Sequence, residues 1–321
     1  MLLTYSSGLS DYVIESADTV RVSIAKGEDI LLNEQYSPDR YGKIHVRDFG
    51  KVCAQSLYSK FENGMQENLC AEFRLLVNGS ARDRYTIVPA RERRERFCYS
   101  PILLTSATER STSGEMQQLS VFAGSGDTVS VTGISSDRTQ NTAVLPSLPY
   151  RDGVRTFSCT LSDIQSTLGV QDLVSYTVRA GNSSVLYRVD KRKGIHYTLF
   201  HYLNNFRCPE LLVAKGLLTV KCADKSDAAY INGSKRKMSV TPADEYTVNS
   251  GPLGGLTEYR AWRDLINSER VLVSTVYGWR DIVINKSNAT FSMDRSRPAT
   301  VEFTFEMADP ADNGEFLLEH I

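Results

Sequence analysis

Residues 73–88 read FRLLVNGSARDRYTIV, which is a strand signal, a tight turn and a second strand signal in direct succession. Both flanks are rich in apolar, β-branched and aromatic residues, and these favour extended backbone. Asn78 and Gly79 between them tolerate the positive φ that a two-residue hairpin turn requires. The stretch therefore predicts a β-hairpin.

Strand and helix signals precede this hairpin in a definite order. Residues 20–24 alternate between apolar and polar side chains, a turn at 27–29 leads into a second strand, and residues 44–47 predict a third. Asp48 is placed to cap a helix that runs to about Phe61, because apolar residues then recur at every fourth position.

The same order of strands recurs about a hundred residues later, as a duplicated unit would. Residues 119–121 match 22–24, and residues 129–131 match the strand that begins near Ile30. Residues 154–159 predict the third strand of the second copy.

A helix and a hairpin complete the second copy. Ser162-Asp163-Ile164-Gln165 is a capping-box pattern, in which the serine and the glutamine each satisfy a backbone N–H of the first helical turn. The helix is expected to stop at Gly169, and Gly181-Asn182 is the counterpart of the Asn78-Gly79 turn. The repeated order predicts two duplicated β-domains.

We therefore predict a mainly β protein with a few short helices, built from tandem β-domains of sandwich or barrel type. The predicted domains are residues 1–106, residues 107–193 as a repeat of the first, and a C-terminal α+β domain at 194–321. Two polar segments are interpreted as loops: 107–118 as the linker and 134–152 as an insertion.

The C-terminal domain combines strand signals with the clearest helix signal in the chain. Over residues 256–267 the apolar residues fall on one stripe that includes Trp262, while Asp264 faces elsewhere. Asn232-Gly233 predicts another hairpin. Further strands are predicted at 197–200, 211–220, 228–231, 238–240, 271–277, 281–284 and 301–305, and the acidic tail after Ala308 is expected to be solvated.

Charge and composition argue against several classes of function. The 321 residues include 37 basic and 38 acidic ones, so the chain lacks the basic excess typical of proteins that coat nucleic acid. The first residues lack the basic start and apolar run of a signal peptide, and no stretch is apolar enough to span a membrane. We expect a protein that is made in a cytoplasm and stays soluble there.

The sequence predicts no catalytic residue, no cofactor and no metal site. It contains no nucleophile elbow, no phosphate-binding loop and no dinucleotide fingerprint, and His45, His196, His201 and His320 are not spaced as metal ligands. Six scattered cysteines without a C-x-x-C pair predict buried free thiols (Cys53, Cys70, Cys98, Cys159, Cys208 and Cys222).

Three basic clusters are interpreted as solvated loop charge, so no nucleic-acid partner is expected. The first, residues 91–96, alternates arginine with glutamate, and the others are Lys191-Arg192-Lys193 and Lys235-Arg236-Lys237. The glutamates of the first cluster would partly neutralise any phosphate-binding face.

Four segments resemble motifs of tail and baseplate proteins from phages and prophages of the Bacteroidetes group. They are YLNNFRCPE at 202–210, the segment from Gly251-Pro252-Leu253 to Val271, the closing stretch 294–309, and residues 36–48. The resemblance covers the last third of the chain well and the rest thinly. It implies a structural role in a virion, a symmetric oligomer and neighbouring tail proteins as partners, with no catalytic residues to transfer.

Three hypotheses follow for the function. The first is a non-enzymatic tail or baseplate subunit that acts through protein–protein assembly. The second is a carbohydrate- or receptor-binding module with a surface glycan as ligand, and the third is a glycan-active enzyme that uses a carboxylate pair. Trp279, Tyr277 and Arg280, which are placed at a turn between two strands, are the predicted interface residues.

Overall fold

The computed structural model describes residues 3–9, 11–92, 100–105, 109–112, 116–123, 128–145, 153–190, 197–222, 225–241, 243–288 and 299–312. The predicted fold class is confirmed, because strands dominate these residues and only three short α-helices occur among them. The chain forms two compact units. The first is Met1–Leu104 with Thr108–Asp190 and Asn205–Pro209, and the second is Thr105–Ala107 with Lys191–Asn204 and Glu210–Ile321.

The first half of the first unit is a five-stranded sheet covered by a two-stranded ribbon and a helix. Its elements are β1 (Leu3–Tyr5), β2 (Asp11–Glu15), β3 (Val20–Lys26), β4 (Asp29–Tyr36), β5 (Lys43–Arg47), α1 (Phe49–Gln55), β6 (Gly64–Gln66), β7 (Ala71–Val77) and β8 (Ser80–Val88). The sheet order is β1-β8-β7-β3-β4, and β2 pairs with β5. The turn at Asn78 and Gly79 has positive φ at both residues, so the hairpin is confirmed.

The second half repeats this topology. Its elements are β9 (Glu109–Thr112), β10 (Gln118–Ala123), β11 (Val129–Ser135), β12 (Gln140–Val144), β13 (Gly153–Ser158), α2 (Leu161–Leu168), β14 (Leu173–Ala180) and β15 (Ser183–Val189). The sheet order is β9-β15-β14-β11-β12, and β10 pairs with β13. In both halves the first strand joins the last one in parallel, while the other pairs are antiparallel.

The correspondence between the strands of the two halves, as predicted from the sequence, is shifted by one strand. Residues 119–121 lie in β10, which corresponds to β2, and residues 129–131 lie in β11, which corresponds to β3. Strand β2 was overlooked because its sequence, DYVIE, does not alternate between apolar and polar residues, and only Ile14 in it is buried. The match between β5 and β13 was correct.

Both segments interpreted as loops contain a strand. The predicted linker includes β9, and the predicted insertion includes β12, which corresponds to β4. Sequence alternation misses them because they are four and five residues long and mostly polar.

Neither helix begins with the predicted side-chain cap. Asp48 has a left-handed backbone and makes no capping bond; instead the Leu9 carbonyl accepts the Gly50 N–H at 2.8 Å. Helix α2 begins at Leu161, so Ser162 lies inside it, and the Gln165 amide donates to the Gln171 carbonyl instead of to the helix start. The stop at Gly169, which has φ 66°, is confirmed.

Helix α1 ends at Gln55, six residues before Phe61, and a distant arginine binds carbonyls at and beyond its end. The Arg207 guanidinium donates to the carbonyls of Ala54 and Leu57, and the Ser59 hydroxyl donates to the Arg207 carbonyl. Arg207 belongs to residues 205–209, whose other members Asn205, Phe206 and Cys208 are buried within the first unit. Part of the segment 202–210 therefore has a packing role.

The two halves of the first unit each have their own core and are joined by a shared sheet and by a smaller buried cluster that includes Val88 and Val154. Strand β6 pairs with β13, which makes a three-stranded sheet β10-β13-β6 across the repeat boundary. The Gln66 amide, which is buried, donates to the Thr156 hydroxyl at 3.2 Å and to the carbonyls of Lys60 and Glu62. Since β6 has no counterpart in the second half, this contact breaks the symmetry of the repeat.

The second unit is a seven-stranded sheet with one helix on its apolar face. Its elements are β16 (Thr198–Leu203), β17 (Pro209–Ala214, of which Pro209 belongs to the first unit), β18 (Leu218–Cys222), β19 (Lys225–Ile231), β20 (Ser234–Thr241), β21 (Asp244–Asn249), α3 (Leu256–Ile266), β22 (Val271–Thr275), β23 (Gly278–Asn288) and β24 (Glu302–Met307). The sheet order is β17-β16-β22-β23-β24-β21-β18. The run 211–220 is split between β17 and β18 and is not the single strand that was predicted.

The predicted helix stripe is confirmed by the packing of α3. Trp262 is 3% exposed, and its ring lies 6.3 Å from that of Phe200 and 6.1 Å from that of Phe303. Asp264, expected to face away from the core, is buried and accepts a hydrogen bond from Thr105 of the same unit.

The cysteines only partly follow the prediction. Cys53, Cys159 and Cys208 are buried, and burial raises the pKa of the Cys53 and Cys159 thiols to about 12. Cys70 is half-buried, and Cys222 is exposed because it ends the edge strand β18. Cys98 lies outside the described residues. No described helix is long and apolar enough to cross a membrane.

We expect Gly50→Ala to lower the free energy of unfolding by about 2–3 kcal/mol, as overpacking does. A Cβ at Gly50 would lie 1.8 Å from the Ser6 carbonyl oxygen and 2.8 Å from that of Leu9, so the backbone itself would have to move. Urea unfolding followed by circular dichroism measures the loss. Gly255→Ala is the control, since a Cβ there meets nothing within 4 Å; equal losses in the two variants would contradict the steric explanation.

We expect Arg207→Ala to destabilise the protein by about 2 kcal/mol, because the carbonyls of Ala54 and Leu57 lose a charged donor. Arg74→Ala is the matched control. Arg74 also donates to a carbonyl, that of Gly27, but in an exposed position where water can replace it. Its loss should stay within about 0.5 kcal/mol. Urea unfolding of both variants measures the two losses. An unchanged stability of Arg207→Ala would refute the stabilising role of the Arg207 guanidinium.

Candidate functional site

The predicted interface residues lie near a turn that starts earlier than expected. Strand β22 ends at Thr275 and β23 begins at Gly278, so Val276 and Tyr277 form the turn. The Thr275 hydroxyl donates to the Gly278 carbonyl at 2.9 Å, and Gly278 has φ 109°, which favours glycine. The expected turn at Gly278 was therefore misplaced by two residues.

The three predicted residues differ in exposure. Tyr277 is 61% exposed at the turn. Trp279 lies within β23 opposite Ser274, is half-buried, and packs its ring 5.4 Å from that of His201, so it is not at the tip as predicted. Burial lowers the pKa of His201 to about 4, which leaves this ring neutral at neutral pH. Tyr277 is thus the one of the three that is fully open to a partner.

Arg280 is half-buried and forms an ion pair with Asp312, with Nε and Oδ1 3.1 Å apart. The start of the acidic tail is therefore attached to β23 through Asp312, although Asp309 is exposed as expected. The remainder of the tail, with His320, lies outside the described residues. An interface role for Trp279, Tyr277 and Arg280 stays a prediction.

Strands β19 and β20 form a feature whose exposure the sequence did not predict. They are joined by the predicted turn at Asn232 and Gly233, both with positive φ, and among the described residues they pair only with each other. We call this hairpin, residues 225–241, the arm. Seven residues of β19, at about 3.3 Å each, make it about 23 Å long.

Neither face of the arm is covered. Every described side chain from 226 to 239 is exposed except Ala229 and Ile231, which are half-buried, and none is buried. Tyr230 is 76% exposed and Met238 59%. An isolated two-stranded hairpin is at best marginally stable in water. The arm is therefore a structure that would gain stability from a partner.

The sequence does contain a signal for this exposure. The two strands read KSDAAYI and SKRKMSVT, so their large apolar residues do not alternate in a way that builds one apolar face. Lys235, Arg236 and Lys237, interpreted as loop charge, lie in strand β20 and are exposed.

The arm and the exposed turn lie at the same end of the seven-stranded sheet. The strand pairing connects the two features across the sheet: Gly278 pairs with Thr275, Ile282 with Met307, and Phe305 with Tyr246. The arm begins after the Cys222–Asp244 pair, which lies two residues from Tyr246 toward the end of the sheet that carries the turn. Residues 276–277 and the base of the arm are thus presented together, with β24 between their strands.

The histidines and the other basic clusters do not form a metal site in the part of the chain that the structure describes. Among the described residues no group of three or more His, Cys, Asp or Glu is arranged to hold a metal ion. His45 lies 3.8 Å from Asp39 on the surface, and His196 lies outside the described residues. In the first basic cluster only Arg91 and Glu92 are described, and their N–H groups donate to Asn205; Lys191-Arg192-Lys193 lies outside the described residues.

No protein-family model matches the sequence, and no curated protein is significantly similar to it.

We expect the two tryptophans to differ in their contribution to stability. Trp262→Ala should leave a core cavity and cost about 3–5 kcal/mol. Trp279→Ala should cost only about 1 kcal/mol, mainly the ring contact with His201. Denaturant unfolding of both variants measures the difference. Equal losses would show that Trp279 is as much a core residue as Trp262.

Proposed function

We propose that the chain is a non-enzymatic structural subunit of a phage tail or baseplate, which assembles with copies of itself and with neighbouring tail proteins. The tail assignment is supported by the resemblance of residues 202–210, 251–271, 294–309 and 36–48 to tail proteins. The assembly role is supported by the arm. The proposed location is the virion, after assembly in the host cytoplasm.

The observation that carries the proposal is a hairpin without a buried face. Ordering seven or eight residues in each of two strands costs conformational entropy, and the arm's own contacts offset little of it. A neighbouring subunit would supply both the missing backbone hydrogen bonds and cover for Tyr230 and Met238. Tyr277, at the same end of the sheet, would extend that contact.

Binding to a surface glycan, the second hypothesis, needs aromatic side chains gathered on one shelf. The exposed tyrosines of the described chain are Tyr41 between β4 and β5, Tyr58 after α1, Tyr197 before β16, Tyr230 on the arm and Tyr277 at the turn. The β16–β22 pairing brings Tyr197 to the end of the sheet where Tyr277 lies, but no ring contact joins any two of these five tyrosines. No observation therefore favours this hypothesis over assembly.

We expect removal of the arm to reduce the assembled protein to a monomer. Residues 223–243 are replaced by Asn-Gly, because Cys222 and Asp244 are direct partners in the β18–β21 pair and a two-residue turn can join them. Sedimentation velocity across micromolar concentrations should show an oligomer for the unmodified chain and a monomer for the deletion.

A point substitution gives the same test a matched control. Tyr230→Ser should weaken assembly, whereas Tyr41→Ser, at a side chain 69% exposed outside the arm, should not. An unmodified chain that stays monomeric, alone and with neighbouring tail proteins, would contradict the proposed function.

A further inference from the structure

The longest edge strands of the described sheets are β4 and β20, with eight residues each. An edge strand presents a row of backbone N–H and C=O groups that its own sheet does not pair. The other edge strands have three to seven residues: β1, β2, β5, β6, β9, β10, β12, β17, β18 and β19. Two edges of equal length can pair along most of their length, with an interruption at the single bulge that each contains, at Leu31 in β4 and at Met238 in β20.

The charges of these two edges are opposite. Strand β20 carries Lys235, Arg236 and Lys237 and no acidic residue, so its formal charge is +3. Strand β4 carries Asp29 and Glu34, and the preceding turn adds Glu28, so residues 27–36 carry three acidic and no basic side chains and a charge of −3. All six side chains are exposed.

The charges of the edge strands favour some edge-to-edge pairings over others. Two β20 edges would place like charges opposite each other, which is unfavourable, and so would two β4 edges. Strand β12 occupies in the second repeat the position that β4 occupies in the first, but its residues QNTAV carry no charge. Of the pairings among β4, β12 and β20, only that of β20 with β4 brings opposite charges together. The edges β2 and β5 are charged as well, but each has only five residues and cannot match the length of β20.

We propose that β20 of the arm pairs edge to edge with β4 of a second copy of this chain. This inference rests on the proposed assembly role and names the contact that produces it. Because the β20 edge and the β4 edge are different surfaces of the chain, the contact is head-to-tail, and repeated copies form a ring or a filament. Exposed Ile30 of β4 supplies an apolar contact beside the charges.

The test uses charge reversal in the full chain. The arm variant is Lys235→Glu with Lys237→Glu, and the edge variant is Asp29→Lys with Glu34→Lys. Each should raise the dissociation constant of self-association on the order of 100-fold, because like charges then face each other. Gln140→Lys with Thr142→Lys on the β12 edge is the matched control and should change nothing.

A variant that combines all four substitutions controls for misfolding of the two double variants. The chain with all four reversals has a negative arm and a positive edge, so it should assemble again, as should an equimolar mixture of the two double variants. Restored assembly cannot be explained by damage to either strand. Failure of both the combined variant and the mixture would overturn the proposal.

Other outcomes separate this inference from the proposed function. An unmodified chain that assembles regardless of either reversal would overturn the β20–β4 contact and leave the assembly role intact. A chain that is monomeric under all conditions contradicts both. If a DNA duplex binds the unmodified chain but not the arm variant, while neither reversal affects self-association, the arm serves a nucleic acid and the proposal fails.

Discussion

The outermost strand of an open β-sheet carries backbone N–H and C=O groups that the sheet cannot pair, and this chain is built from open sheets. Most of its edges are short: β1 has three residues and β9 four. The repeat boundary removes part of another edge, because β6 adds to β13. Strands β4 and β20 are the longest edges, and the proposed assembly would pair their outward-facing backbone N–H and C=O groups.

The two halves of the first unit have the same topology and differ mainly at their periphery. Both copies keep the same sheet order and a helix over the core, so each buries its own apolar face. The differences are at the periphery, in β6 and in the charge of the β4 and β12 edges. The proposed contact would therefore use an edge at which the two halves differ, and it would leave the two cores unchanged.

Local chemistry made part of this fold predictable from the sequence. The turns at Asn78-Gly79 and Asn232-Gly233 need positive φ, and the stripe of α3 needs only its own periodicity. The limits of α1 were not predictable, because the group that accepts from its first turn is the distant Leu9 carbonyl and the guanidinium that binds carbonyls at its end is that of the distant Arg207. Strand β9 was missed because it is short and polar and pairs with the distant β15, and β12 was missed because its mostly polar residues show no alternation, although it pairs with the adjacent β11. At the site, the arm's turn was visible in sequence, but its exposure, and the half-burial of Trp279 against His201, depend on tertiary packing.

Hydrogen exchange of backbone amides tests the central claim most directly, because edge pairing protects amides that are otherwise open to water. Exchange would be measured by mass spectrometry on the unmodified chain at a dilute and a concentrated condition. The account predicts that concentration slows exchange in peptides covering 29–36 and 234–241, and leaves 140–144 unchanged. Exchange that is independent of concentration in the first two segments, or protection that appears equally at 140–144, would contradict it.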